Sequence, residues 1–261
     1  MGEMAASREQ RALSFDGVAA EYERGRPGYA PEAIEWVLGG EALQVLDVGA
    51  GTGKLTRALL DAGHAVTAVE PLEGMRAQLQ VSCPKARALR GTAEQLPLPD
   101  GSVDAVVVGS AFHWFDGERA LVEFARVLRG PQILGLFGNT FDVSLPWVGR
   151  LRDLLRPATE RSGHRWPDPA ALQALWADVQ EREFPQAQTL DRARLRDLAL
   201  SRSNIAVLSA EQRETELARL GRLWDTDPEL AGRTEVSLPW LTRARRCSGL
   251  VQPAAGLVRK T

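Results

Sequence analysis

The stretch Val45–Thr56 reads VLDVGAGTGKLT. A short β-branched run ends in a glycine-rich turn, and a segment with helical spacing follows it. Several cofactor classes are held at turns of this kind, and the spacing separates them. A phosphate-binding P-loop needs Gly-x-x-x-x-Gly-Lys-Ser/Thr. Gly53-Lys54 supplies the end, but Val48 stands at the first glycine position and Leu55 where a magnesium-binding hydroxyl belongs. The dinucleotide fingerprint Gly-x-Gly-x-x-Gly is met by Gly49 and Gly51 and broken by Lys54.

What remains is Asp47-x-Gly49-x-Gly51-x-Gly53. A carboxylate at the strand end is badly placed beside a pyrophosphate and well placed beside a cation, most strongly in a dry cleft. S-adenosylmethionine has no phosphate and carries an ammonium and a sulfonium. The glycines let backbone approach a ligand closely. The competing reading is a turn whose glycines serve packing alone.

Working outward, short apolar runs alternate with helical periods. Strands are expected at Gln44–Val48, Ala65–Glu70, Ala86–Arg90, Val103–Gly109 and Gln132–Gly138. Helices are expected at Gly53–Ala62, at Leu72–Gln80 and through GERALVEFARVL. The alternation predicts an α/β fold, a doubly wound, mostly parallel Rossmann-like sheet with helices on both faces. In such a sheet the ligand lies at the carboxyl ends of the strands.

After Gly138 the texture changes to tryptophans, prolines and, from Leu190 to Trp224, arginine-rich amphipathic segments. This predicts a helical cap over about 141–230, after a core of about 30–140 and before a late strand at about 233–246. An N-terminal lid is expected over 7–29, and the whole of 1–247 is read as one domain. Residues 248–261 hold no acid and little pattern and read as a disordered tail.

Composition is ordinary for a globular chain of 261 residues, with 44% hydrophobic and 25% charged residues and a formal net charge of −2. Nothing in that balance points to nucleic acid or an anionic membrane as a partner. The N-terminal segment is polar, without an apolar signal core. Cys83 and Cys247 make neither a disulfide framework nor a four-cysteine zinc site, so a reducing cytoplasm is expected. No His/Cys spacing suggests a metal, and His64 reads as structural. The expected state is a monomer or homodimer.

The motifs together resemble the class I S-adenosylmethionine-dependent methyltransferases, in the small-molecule branch that includes trans-aconitate methyltransferase-like proteins. The resemblance runs from about Phe15 to Phe137 and is loose beyond. VLDVGAGTGKLT resembles the family's first motif and AVEPLEGM its second, which implies that Glu70 accepts the ribose hydroxyls. An acid about 20 residues after the glycines also occurs in dinucleotide binders. GTAEQLPLPDGSVDAVVVGSAFHWF is the most specific further segment. It implies that Ala93 and Glu94 contact adenine, that Leu96 and Leu98 wall the ring, and that Ser110 and Ala111 present backbone carbonyls to the amino-acid group. SFDGVAAEYERGRPGY resembles the family's lid, with Tyr22 and Arg26 facing the cofactor. Arg26 is then placed to fork onto the methionine carboxylate.

His113 and Trp114 follow the fourth strand, at the mouth of the same cleft. His113 is a candidate base or substrate anchor, since imidazole titrates near neutral pH; its alternative is a packing role. Trp114 reads as a pocket wall. Trp147, Trp166 and Trp176 fall in the cap, where tryptophans at helical spacing are usually core; Trp147 is the one assigned to the acceptor pocket. The arginines of Arg192–Arg222 are interleaved with acids and read as a solvated helix face. The Asn/Asp-Pro-Pro-Tyr motif of amino-methylating nucleic-acid enzymes is absent. The expected reaction is methyl transfer to a small organic acceptor at oxygen. Carbon methylation of a quinone- or polyketide-type substrate, and cofactor binding without catalysis, are the alternatives.

Overall fold

The computed structural model describes residues 14–155 and 166–251. A 3-10 turn at Asp16–Val18 leads into helices α1 (Ala19–Gly25) and α2 (Pro31–Leu38). Then come β1 (Gln44–Val48), α3 (Lys54–Asp61), β2 (Ala65–Val69), α4 (Glu73–Ser82), β3 (Arg87–Leu89) and β4 (Val103–Gly109). A second 3-10 turn, Phe112–Trp114, precedes α5 (Gly117–Val127) and β5 (Leu128–Phe141). The remainder is α6 (Pro146–Leu155), α7 (Pro169–Gln173), β6 (Trp176–Asp191), α8 (Arg192–Leu200), α9 (Ser203–Ala206), α10 (Ala210–Thr226) and β7 (Glu235–Leu250).

The seven strands form one sheet in the order β3-β2-β1-β4-β5-β7-β6. The first five are parallel, with β7 antiparallel to both β5 and β6. The central strands are buried on both faces, and alternate residues serve opposite layers. Leu46, Val48, Val106 and Val108 pack with Leu121 and Phe124 of α5. Val45, Ala105 and Val107 pack with Ile34 and Val37 of α2 and Leu55 and Leu59 of α3. The strand order reverses at β1, with β2 on one side and β4 on the other. That is the switch point where the loops after adjacent strands diverge and leave a crevice.

The cap has its own apolar centre, built from α6, α8, α10 and the ends of β5, β6 and β7. Phe141 and Trp240 stack there at 4.2 Å between ring centroids. Asp191 caps α8, accepting from the Arg194 amide, and a Ser209–Gln212 capping box starts α10.

Three expectations about boundaries are corrected. Residues 176–191 lie inside the range read as cap, but they form the edge strand β6, paired along its length with β7. Most of its side chains are exposed, and its middle reads Glu-Arg-Glu-Phe-Pro. Edge strands carry charge and proline to discourage further pairing, which erases the apolar alternation that marks a strand. β5 begins at Leu128 and ends at Phe141, longer at both ends than the apolar run Gln132–Gly138. Ser248 and Leu250, assigned to a tail, pair with Asp178 and Trp176 of β6. Backbone bonding extends the ladder where the sequence has lost its pattern. The rest of that tail, 252–261, and residues 7–13 of the expected lid lie outside the described residues. Among the described residues, no helix is long and apolar enough to cross a membrane.

Candidate active site

The crevice is floored by the turn after β1. Gly49, Gly51 and Gly53 have φ of 68°, 58° and 91°, the left-handed region that only glycine adopts without strain. A Cβ at Gly49 would stand 2.7 Å from the Ala111 Cβ, so the turn after β1 and the turn after β4 close on each other there. A Cβ at Gly51 would meet no atom of the described residues within 4 Å, so the turn is open on that side. The amides of Gly49 and Ala50 donate to Val69 O at 2.8 and 3.2 Å, fastening the turn to the end of β2.

Two carboxyls stand beneath this turn. Asp47 is fully buried; one oxygen, Oδ2, accepts from Thr56 Oγ1 at 2.6 Å. The other, Oδ1, is buried with no hydrogen-bond partner among the described residues. Burial, which the Thr56 bond only partly offsets and the nearby Glu70 charge reinforces, pushes the Asp47 carboxyl up to about 7. Glu70 follows β2 and accepts from the amides of Gly51 and Leu72, each at 2.9 Å. Burial raises its pKa as well, against the pull of those two amides. An orphaned carboxylate oxygen costs free energy unless a donor reaches it. The residues present therefore fit a cationic group entering over the open side of Gly51, as the amino end of S-adenosylmethionine would. Both Glu70 oxygens already hold an amide, and each keeps a second lone pair for a hydroxyl.

The opposite wall comes from β4 and the loop before it. Ser110 has φ of 55°, a left-handed conformation that costs a non-glycine residue about 1–3 kcal/mol. Its amide donates to Phe137 O at 2.7 Å, and its hydroxyl lies 3.2 Å from the Tyr29 hydroxyl, which donates to it. Ala111 is buried behind it. Ala93 and Leu96 are buried in the core layer under α5, with Leu98 packed against it. Glu94 does not point into that layer: it accepts from the Asp116 amide at 2.8 Å and ties the 93–96 turn to the start of α5.

The mouth is aromatic. His113 and Trp114 sit side by side, 4.6 Å between rings, both part-exposed. Phe15 contacts Trp114 and Tyr22 edge-on, each at 5.8 Å, so the N-terminal segment spans the opening. Burial raises the Tyr22 and Tyr29 phenols above their ordinary range; the nearby Arg26 charge pulls both the other way.

Two assigned residues are placed elsewhere than expected. The Arg26 guanidinium lies 5.4 Å over the Tyr22 ring, but it donates to Ser201 Oγ at 2.8 Å and Ser201 O at 3.2 Å, joining the lid to the cap. Trp147, expected in the acceptor pocket, is 3% exposed and packs in the apolar centre of the cap. A large apolar ring on an amphipathic helix goes to the nearest core, here that of α6 and α10.

Sequence reasoning missed the fastening of the lid. Glu23 on α1 accepts from Thr52 Oγ1 and from Arg57, each at 2.7 Å, and its carbonyl accepts from Lys54 Nζ at 2.6 Å. Asp16 accepts from the Gly74 amide at 2.6 Å. Thr56 and Tyr29 were missed too. Thr56 was legible as the first hydroxyl one helical turn past the glycines. Glu23 was not, because its partners lie about 30 positions away.

A family described as a methyltransferase domain matches residues 46–134, the span from β1 into β5. An uncharacterized methyltransferase of Mycobacterium bovis is 43% identical over 239 residues, 92% of this chain and 97% of its own length. A malonyl-[acyl-carrier protein] O-methyltransferase of Pectobacterium atrosepticum is 34% identical over 188 residues, covering 64% of this chain and 73% of that one. In fold, a proposed type II methyltransferase from Anaeromyxobacter dehalogenans superimposes with a TM-score of 0.61 at 23% identity, over 87% of this chain and 99% of that one. The chain belongs to the class I S-adenosylmethionine-dependent methyltransferases.

Proposed function

We propose that the crevice over Asp47 and Glu70 holds S-adenosylmethionine and that the enzyme passes its methyl group to an oxygen of a small organic acceptor, a carboxylate or a hydroxyl. The observation that carries the cofactor reading is the pair of buried carboxyls under a glycine turn that is open at the Gly51 Cα, one carboxyl having an oxygen with no partner among the described residues. In this reading Asp47 faces the amino end and Glu70 the ribose. Ala93, with the neighbouring turn held by Glu94, underlies the adenine, and Ser110 and Ala111 offer carbonyls beside the reacting end. Tyr22 covers the site from the lid.

When bound, the cofactor supplies a methyl already activated by its sulfonium. What the chain adds is placement, and placement alone can carry most of an in-line displacement. Phe15 meets Tyr22 and Trp114 edge-on at the mouth, and in this reading the three rings cover the bound cofactor. His113 stands where it meets the acceptor first, as an anchor for a carboxylate or as the group that takes the proton from a hydroxyl. Oxygen as the acceptor atom is supported by the O-methyltransferase among the relatives. The cytoplasm remains the compartment we infer, from two buried free thiols.

The test is release of S-adenosylhomocysteine with a panel of small carboxylic acids and alcohols, using a labelled methyl group. A base-labile label identifies an ester. A base-stable label on carbon would replace the oxygen reading with carbon methylation. Tight S-adenosylhomocysteine binding with no turnover across the panel would favour a binding role.

A further inference from the structure

A cavity of about 570 Å³ opens between the end of α1, the start of α3, the end of β6 and the first turn of α8. Of the residues assigned above to the cofactor, only Arg26 lines it. Its chemistry is the reverse of the Asp47–Glu70 crevice. Five cations face it, Arg24, Arg26, Lys54, Arg57 and Arg194, against the three carboxylates of Glu23, Asp191 and Asp197. The difference is a local excess of 5 − 3 = 2 positive charges in a chain whose formal net charge is −2.

Those carboxylates already have work. Asp197 takes two bonds from Arg24, at 2.7 and 3.0 Å. Glu23 holds Thr52 and Arg57. Asp191 accepts from the Arg194 amide at 2.7 Å as the cap of α8. Arg24 pairs with Asp197, and Lys54 and Arg57 share the single Glu23 carboxylate, so two of the five positive charges are left uncompensated. The Lys54 side chain is 12% exposed; burial lowers its pKa, Glu23 only partly offsets that, and Arg57 and Arg194 add repulsion. Arg194 stands in the first turn of α8, a turn with no acid, where the helix dipole disfavours a cation. Each of these costs falls when an anion enters.

We propose that this cavity binds a small organic dianion, a phosphate ester or a polycarboxylate, as a site separate from the cofactor crevice. The excess of two charges matches a dianion. The volume lies within the range of about 300–1,000 Å³ usual for small-molecule pockets. Planar guanidinium forks from Arg57 and Arg194 suit both phosphate and carboxylate oxygens.

The test is calorimetric titration of phenyl phosphate and, separately, succinate, each a dianion near pH 7.5, into the full chain at constant ionic strength, with and without saturating S-adenosylhomocysteine. Saturable binding of at least one anion, unaffected by S-adenosylhomocysteine, is expected, and the better of the two tells phosphate from carboxylate chemistry. Arg194 is exposed, and Arg194→Gln keeps a donor for its bond to Thr189 O. That variant is expected to melt as the wild type does, to bind S-adenosylhomocysteine unchanged, and to bind the anion about tenfold or more weakly. Arg194→Glu is expected to abolish anion binding. Absence of saturable binding by either anion at millimolar concentration would overturn the proposal. So would equal affinity in a folded Arg194→Gln, or displacement of the anion by S-adenosylhomocysteine, which would place it in the cofactor crevice. The arm without S-adenosylhomocysteine reads the cavity independently of the cofactor assignment.

Discussion

Asp47→Asn separates a charge role for this residue from a packing role. The wild-type carboxyl rises from an ordinary 3.8 to about 7 on burial in the folded protein. At about 1.4 kcal/mol per pH unit, keeping it ionised costs the cofactor-free protein on the order of 4 kcal/mol. The folded pKa is raised, so this group's stabilising contribution is fully present below its unfolded value and is lost as pH rises through about 7. Asparagine keeps an acceptor for Thr56 Oγ1 and cannot ionise. The variant without cofactor is therefore expected to melt higher than wild type at pH 8 and to lose the decline that the wild type shows between about pH 4 and 7. Binding reverses the preference. A cationic amino group beside Oδ1 favours the carboxylate, so below pH 7 the wild type must release a proton on binding, and its affinity should weaken up to tenfold per pH unit. At pH 8 the variant lacks a charged hydrogen bond of about 1.5–3 kcal/mol and should bind S-adenosylhomocysteine roughly ten- to over a hundredfold more weakly. The assay is calorimetry from pH 5.5 to 8.5 in two buffers of different ionisation enthalpy, which counts the proton directly, with thermal melts alongside. Equal affinity in the two proteins, or wild-type binding that is flat with pH and releases no proton, would refute the reasoning.

Glu70→Ala removes the acceptor of the Gly51 and Leu72 amides as well as that proposed for the ribose, so both melting temperature and S-adenosylhomocysteine affinity should fall; unchanged affinity in the folded variant would remove Glu70 from the cofactor site. His113→Ala should leave S-adenosylhomocysteine affinity nearly intact. If His113 is a base, turnover drops about 10²–10⁴-fold; if it is an anchor, the acceptor's KM rises with kcat less affected; wild-type kinetics would make it structural. Truncation after Cys247 deletes the pairs Asp178↔Ser248 and Trp176↔Leu250 and should lower the melting temperature by a few degrees, at about 2–4 °C per kcal/mol for a domain of this size; an unchanged melt would mean that the last residues of β7 contribute nothing.

What was legible in the sequence is local. The β1 turn announces itself because three glycines must adopt left-handed backbone within five residues, and no other residue does so cheaply. Central strands are legible because burial on both faces favours dense β-branched and apolar runs, such as Ala105–Val108 and Val45–Val48, the latter broken only by Asp47. Asp47 and Glu70 are legible because a strand end fixes where the next side chain stands. The tertiary structure decided what depends on distant partners. β6 is a strand because β7 offers it a ladder, not because its own charged sequence asks for one. Trp147 left the pocket for the cap because α6 and α10 enclose a drier place there. Arg26 reached Ser201, and Glu23 reached Thr52 and Arg57, across separations no periodicity encodes. A side chain's local pattern sets its secondary structure; which of several compatible partners it meets is settled only when the layers pack and the buried polar atoms must all find one another.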